Sequence, residues 1–160
     1  MNKQIIVYID GTNLHKATVK NGWIVDYTKF YIWLCDKFSI THAFIFIGYL
    51  SMYEKLYSKM RLAGFTIIFK KTTIDRIGEI KGNCDADLVL KCVRDTFEMD
   101  IGHTIITSSD GDFSSLVEFL KEKEKTVTLV SPSNNCSILL MHTGVKIIYA
   151  SQIRSHIEKL

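Results

Sequence analysis

Four aspartates are the residues of this chain best suited to chemistry: Asp10, Asp85, Asp110 and Asp112. Asp10 lies in Asp10-Gly11-Thr12-Asn13, Asp85 in Asn83-Cys84-Asp85-Ala86-Asp87, and the other two in Ser108-Ser109-Asp110-Gly111-Asp112. Carboxylates gathered without a counter-charge repel and raise one another's pKa, so a cluster of them calls for a cation. Oxygen donors suit Mg2+ or Mn2+, with water and substrate phosphates completing the shell. An ion so held orients and deprotonates a water and shields charge developing on a phosphate, which leads to hydrolysis of a phosphodiester. Zinc is disfavoured, because His15, His42, His103, His142 and His156 and the four cysteines show no ligand spacing.

The cluster depends on the elements that carry it. Gln4 to Ile9 is a short, almost wholly apolar run, the pattern of a central parallel strand, and it ends at Asp10. Thr104 to Ser108 reads as a second buried strand, breaking at Ser-Asp-Gly into helical spacing at Phe113, Leu116, Val117 and Leu120. In the helix opened by Asn83, Asp85 falls in line with the apolar stripe Leu88, Val89, Cys92, Val93, Thr96 and Phe97 at about 100° per residue. Asp87 falls nearly opposite, so Asp85 is expected inward and Asp87 outward. Right-handed crossovers bring the start of that helix to the carboxyl edge of the sheet, where Asp10 and Asp110 also emerge. Asp10 alone would read as a turn residue and Asp85 as an N-cap, but a capping carboxylate keeps a second oxygen for a metal.

The remaining elements alternate. Helices are expected over Tyr27 to Phe38 (with Asp26 or Thr28 as start), Met52 to Leu62 (closed by Gly64) and Ser137 to Met141, with a last one over Gln152 to Lys159 capped by Ser151. Strands are expected over Ala43 to Leu50, Phe65 to Phe69, Thr126 to Val130 and, at an edge, Lys146 to Tyr149. This predicts an α/β fold of three layers: a mainly parallel central sheet of about five strands with helices on both faces. Ligands of such sheets bind beyond the carboxyl ends of the strands. Thr107, Ser108, Ser109 and Gly111 are small and would leave room for a substrate or hydrated ion, which makes Ser108 and Ser109 candidate substrate contacts. Lys70 to Gly82 reads as a loop leaving the third strand at that same edge, and its Lys70, Lys71, Arg76 and Lys81 are placed to hold phosphates.

At 160 residues the chain is expected to form one domain over 1–160, and 47% hydrophobic with 23% charged residues excludes the disordered class. Cys35, Cys84, Cys92 and Cys136 lack CxxC spacing, and the chain begins on a strand pattern rather than a signal peptide, which points to reduced thiols and the cytoplasm. No segment approaches the roughly 20 apolar residues of a membrane span. A net charge of +3 permits a nucleic-acid partner without requiring one.

Three stretches together resemble a known family. Ile6-Val7-Tyr8-Ile9-Asp10-Gly11-Thr12-Asn13-Leu14, Lys81-Gly82-Asn83-Cys84-Asp85 and Ser108-Ser109-Asp110-Gly111-Asp112-Phe113 are similar to the three signatures of the NYN domain in its LabA-like branch, and Tyr149-Ala150-Ser151-Gln152-Ile153-Arg154 extends the likeness towards the end. The resemblance implies a PIN-like, Rossmannoid sheet and a Mg2+- or Mn2+-dependent ribonuclease acting on RNA, with single strands the expected substrate. By motif, Asp10, Asp85 and Asp110 would be the principal metal carboxylates and Asp112 would support or ligate. Asn13 would position Asp10 or touch substrate, and Lys81 would contact phosphate. The chain departs from the pattern at Lys91, where many members carry another acid, which would leave fewer protein ligands for the ion.

Two other readings compete. Tyr8-Ile9-Asp10-Gly11-Thr12 resembles the haloacid-dehalogenase phosphatase signature, but Tyr8 stands where the nucleophilic Asp would be, so the covalent route has no nucleophile. The alternative from a different class is a catalytically weak or inactive NYN module that binds RNA or a protein partner, and Lys91 speaks for it. Trp23, Tyr53 and Tyr57 could stack bases or form a dimer face, and each also reads as packing. A homo-oligomer or a protein partner is compatible with these features.

Overall fold

Every residue from Ile6 to Asp10 is buried, and this strand, β1 (Gln4–Asp10), forms the axis of the fold. The computed structural model describes residues 2–70, 73–74, 76–78, 80–81 and 84–160; for residues 73, 74, 80, 81 and 84 the backbone alone is described. After β1 come α1 (Gly11–Lys20), α2 (Tyr27–Phe38), β2 (His42–Gly48), α3 (Glu54–Ala63) and β3 (Thr66–Lys70). A small hairpin, β4 (Thr73–Ile74) with β5 (Ile80–Lys81), leads to α4 (Cys84–Glu98) and β6 (Ile101–Thr107). The chain closes through α5 (Ser114–Glu122), β7 (Thr126–Ser131), α6 (Ile138–Met141), β8 (Lys146–Tyr149) and α7 (Ala150–Ile157).

The six long strands form one parallel sheet in the order β3-β2-β1-β6-β7-β8. The chain first runs outward from β1 to β3, then crosses back to β6 on the other side. Parallel crossovers are right-handed, so reversing direction sends the helices to the opposite face. One core packs α1, α2, α3 and α7 on the sheet through Leu14, Phe30, Leu34, Met60 and Ile153. The other packs α4, α5 and α6 through Leu88, Cys92, Leu116, Leu120 and Leu140. Alternate residues of β1 supply both, Val7 and Ile9 to the first and Ile6 and Tyr8 to the second. Each such side chain taken fully from water contributes about 1.5–3 kcal/mol. Asp10 continues the parity of Ile6 and Tyr8, and that phase places it under α4.

The three-layer α/β arrangement is as expected, with Lys146–Tyr149 pairing to β7 as a sixth strand. Four local expectations change. Gly11–Lys20 is a helix where only a turn was read, because its inward face holds little beyond Leu14, Ala17 and Thr18. Lys70 to Gly82 contains the hairpin rather than a plain loop. Ser151 lies inside α7 and donates to Asn134 Oδ1 at 2.6 Å instead of capping, while Gln152 Oε1 accepts the Tyr149 N–H at 2.9 Å at the helix start. Trp23 and Tyr57 are core residues, and Tyr53 alone of the three candidate stackers is exposed. Among the described residues no helix is long and apolar enough to cross a membrane.

Candidate functional site

The strand order reverses between β1 and β6, and adjacent strands whose crossovers leave in opposite directions open a crevice at their carboxyl ends. Register pairs Ile9 with Thr107, so the next residues, Asp10 and Ser108, stand side by side at its mouth. Ser108 Oγ donates to Asp10 Oδ2 at 3.4 Å and accepts the Asp110 N–H at 3.1 Å. Asp10 Oδ1 accepts the Asn13 N–H at 3.1 Å, making Asp10 the N-cap of α1. Asn13 reaches across the crevice, where its Oδ1 accepts both the Ser109 N–H at 3.0 Å and the Ser109 hydroxyl at 3.1 Å. The first turn of α1 and the loop after β6 are therefore tied to one another by their own side chains.

Above this tie stands an acidic group. Asp85, Asp110 and Asp112 each offer a carboxylate oxygen, and the three lie within 4.8 Å of one another. Asp110 Oδ1 also accepts the Asp112 N–H at 2.9 Å, which fixes the turn between them. Burial and then the charges of Asp10, Asp110 and Asp112 push the Asp85 carboxyl up to about 6, with Lys70 at the end of β3 opposing them. Asp10, 5% exposed, is also raised, chiefly by burial, against the hydrogen bonds of Asn13 and Ser108 and the Lys70 charge. Such mutual repulsion is what a divalent cation relieves. Ligands at about 2.1 Å around Mg2+ stand about 3.0 Å apart when adjacent and about 4.2 Å when opposite, so oxygens within 4.8 Å of one another would draw together to share an ion. All donors are hard carboxylate oxygens, the set that suits Mg2+ or Mn2+. The residues fit the group.

The structure thus brings together Asp10, Asp85, Asp110, Asp112, Asn13, Ser108 and Ser109. Ser108 is wholly buried, and its hydroxyl donates to Asp10 and accepts the Asp110 N–H. Room was expected beside Gly111, but a Cβ there would collide with Ser137 Oγ, and the Ser137 N–H donates to Ser109 O at 3.2 Å; the space is filled by the chain itself. Arg76 is exposed on the hairpin turn. Lys71, Gly82 and Asn83 and the Lys81 side chain lie outside the described residues.

One part of the site had no warning in the motifs. Asp95, 3% exposed, accepts the Tyr8 hydroxyl at 2.9 Å and Lys91 Nζ at 2.8 Å, and the Lys91 ammonium lies 4.5 Å from the centre of the Phe44 ring. Tyr8 is therefore a buried strut between β1 and α4, and Lys91 is paired down the helix. The available signal was an acid on the buried stripe of Leu88 and Cys92, one helical turn after a lysine.

The NYN domain profile matches residues 4–148. The chain belongs to the NYN domain family. NYN domains are a PIN-like nuclease family, which gives this chain a nuclease- or RNA-related role. It is 24% identical to the "Low amplitude and bright protein LabA" of Synechococcus elongatus, over 98% of this chain and 88% of that protein. It also superposes on the crystal structure of a protein of unknown function from Vibrio parahaemolyticus with a TM-score of 0.80 and 21% identity, covering 98% of this chain and 96% of that one. That second likeness speaks for the NYN fold alone.

Proposed function

We propose that this NYN domain is a Mg2+- or Mn2+-dependent ribonuclease that hydrolyses phosphodiester bonds of single-stranded RNA, with residues 1–160 acting as one unit. The observation that carries the proposal is the set of three carboxylate oxygens within 4.8 Å at the crevice where strand order reverses. An ion bound there would supply a nucleophilic water near neutral pH and charge for the phosphate to lean on. Asp85, Asp110 and Asp112 would hold it from two separate elements. Asp10, which accepts hydrogen bonds from Asn13 and Ser108, is the fourth proposed carboxylate of the site, and the buried Ser108 hydroxyl would position it with Asp110. Asn13 and Ser109 tie the start of α1 to the loop after β6, which would keep the acids aimed at one ion. Arg76 and Lys81, on the hairpin that follows β3, are the proposed phosphate contacts. The free thiols Cys35, Cys92 and Cys136 support a reducing compartment, the cytoplasm.

The test is cleavage of labelled single-stranded RNA by purified protein in Mn2+, in Mg2+ and in EDTA, beside Asp110→Asn. Cleavage is expected only with metal and only in the wild type. Equal cleavage by the variant would remove the carboxylates from the chemistry. Binding without cleavage under every condition would turn the reading towards the inactive module.

A further inference from the structure

On the other face of the sheet from the acids, a pocket of about 220 Å³ opens at the same carboxyl edge. We propose that it receives one nucleobase of the RNA strand, one or two nucleotides from the phosphate held at the acids; the inference rests on the ribonuclease reading and gives it a substrate contact.

Position is the first argument. The pocket wall includes Gly11 and Thr12, the two residues that follow Asp10. Three successive Cα atoms span at most about 7 Å, so the pocket wall begins within that distance of Asp10 at the carboxyl edge that carries the acids. Size is the second. The volume lies below the roughly 300–1,000 Å³ of sites that enclose a whole small molecule, which leaves room for a single ring system rather than a complete nucleotide cofactor.

Chemistry is the third. Ile47, Leu56 and Tyr57 line the interior, while His15, Lys16 and Tyr53 stand exposed at the rim. An apolar, aromatic slot with a cation at its edge is what a base and its neighbouring phosphate require, because every base has a π-face and its backbone carries a charge. The wall is also built in advance. The Tyr57 hydroxyl accepts the Leu50 N–H at 3.0 Å and donates to Gly48 O at 3.3 Å, and its ring lies 5.0 Å from Phe69 and 5.8 Å from Tyr49. Gly11 lets α1 approach this wall, since a Cβ there would strike Ile47 and stand 3.1 Å from Phe46 O.

The experiment measures binding of short labelled single-stranded RNAs in EDTA, each carrying an abasic nucleotide at a different position, to wild type, Tyr53→Ala and Leu56→Trp. One abasic position should weaken wild-type binding about tenfold, the scale of one lost stacked base. Tyr53→Ala, which removes an exposed wall, and Leu56→Trp, which fills the slot, should bind intact RNA about as weakly and respond little to that abasic position. A flat abasic scan, or a sensitivity that both variants retain, overturns the inference even if the RNA is cleaved in Mn2+. An abasic effect that depends on the pocket in a protein that never cleaves would leave the pocket standing and remove the ribonuclease reading. No RNA binding at all in EDTA would remove the pocket inference and leave the ribonuclease reading to the cleavage test in Mn2+.

Discussion

Lys91 Nζ lies 2.8 Å from Asp95 Oδ1, on a carboxylate whose other oxygen takes the Tyr8 hydroxyl. The lysine that departs from the family pattern is thus the partner of a buried acid. Removing it strands a charge in the core, so Lys91→Met should destabilise the protein by about 2–4 kcal/mol, read as a lower urea midpoint. Tyr8→Phe should cost about 1.5–3 kcal/mol, the range for a hydrogen bond to a charged group. If Lys91→Met instead left stability unchanged and tightened Mn2+ binding, Lys91 would be acting on the acids.

Ser108 offers a sharper probe of positioning. Its hydroxyl serves Asp10 and Asp110 together, so Ser108→Ala should slow cleavage roughly tenfold and cost about 1–2 kcal/mol of stability through the unsatisfied partners. KM for RNA should change little, because the side chain is buried away from the substrate. A large rise in KM with an unchanged kcat would restore Ser108 as a substrate contact.

The raised Asp85 carboxyl gives a pH dependence with a definite sign. Its ordinary value is 3.8 and the folded value is about 6, so the folded protein binds this proton more tightly than the unfolded chain does. Without metal, the stability from this group is fully present below about pH 4 and is lost as pH rises to about 6. Mn2+ needs the ionised carboxylate, so the rise in Tm on adding it should be small at about pH 5 and reach its plateau above about pH 7. Asp85→Asn should flatten both dependences. A Mn2+-induced Tm rise equal at the two pH values would contradict the assignment.

Gly11 tests the close approach of α1 to β2. Gly11→Ala drives a Cβ into Ile47, so it should cost about 1–3 kcal/mol as overpacking. Ile47→Ala in the same chain should recover part of that loss, with Phe46 O at 3.1 Å limiting the recovery. Thermal unfolding of the two single variants and the double variant measures the coupling.

What could be read from the sequence depended on whether a signal was local. Asp10 and Asp110 end strongly apolar strands, and Asp85 sits on a clear helical stripe, so topology alone carried them to one edge. Helix α1 escaped because Gly11, Thr12, Asn13, His15 and Lys16 give it a polar face and little apolar periodicity. The hairpin escaped because strands of two residues have no period to detect. The hydrogen-bond partners of Ser108 could not be read locally, because they depend on the register of β6 against β1, which pairs residues about a hundred positions apart. Tyr8 and Asp95 are likewise joined only by how α4 lies on the sheet, and the pocket beneath Tyr53 exists only after β2, α1 and α3 have met.

The same acids should govern both metal binding and chemistry. Mn2+ binding, followed by loss of the free-ion electron paramagnetic resonance signal, should be measured beside RNA cleavage rates at the same Mn2+ concentrations for wild type, Asp85→Asn and Asp110→Asn. The expected result is a cleavage rate that tracks the bound ion in the wild type, with both falling together, by tenfold or more, in each variant. Cleavage that persists in a variant which no longer binds Mn2+ would contradict it.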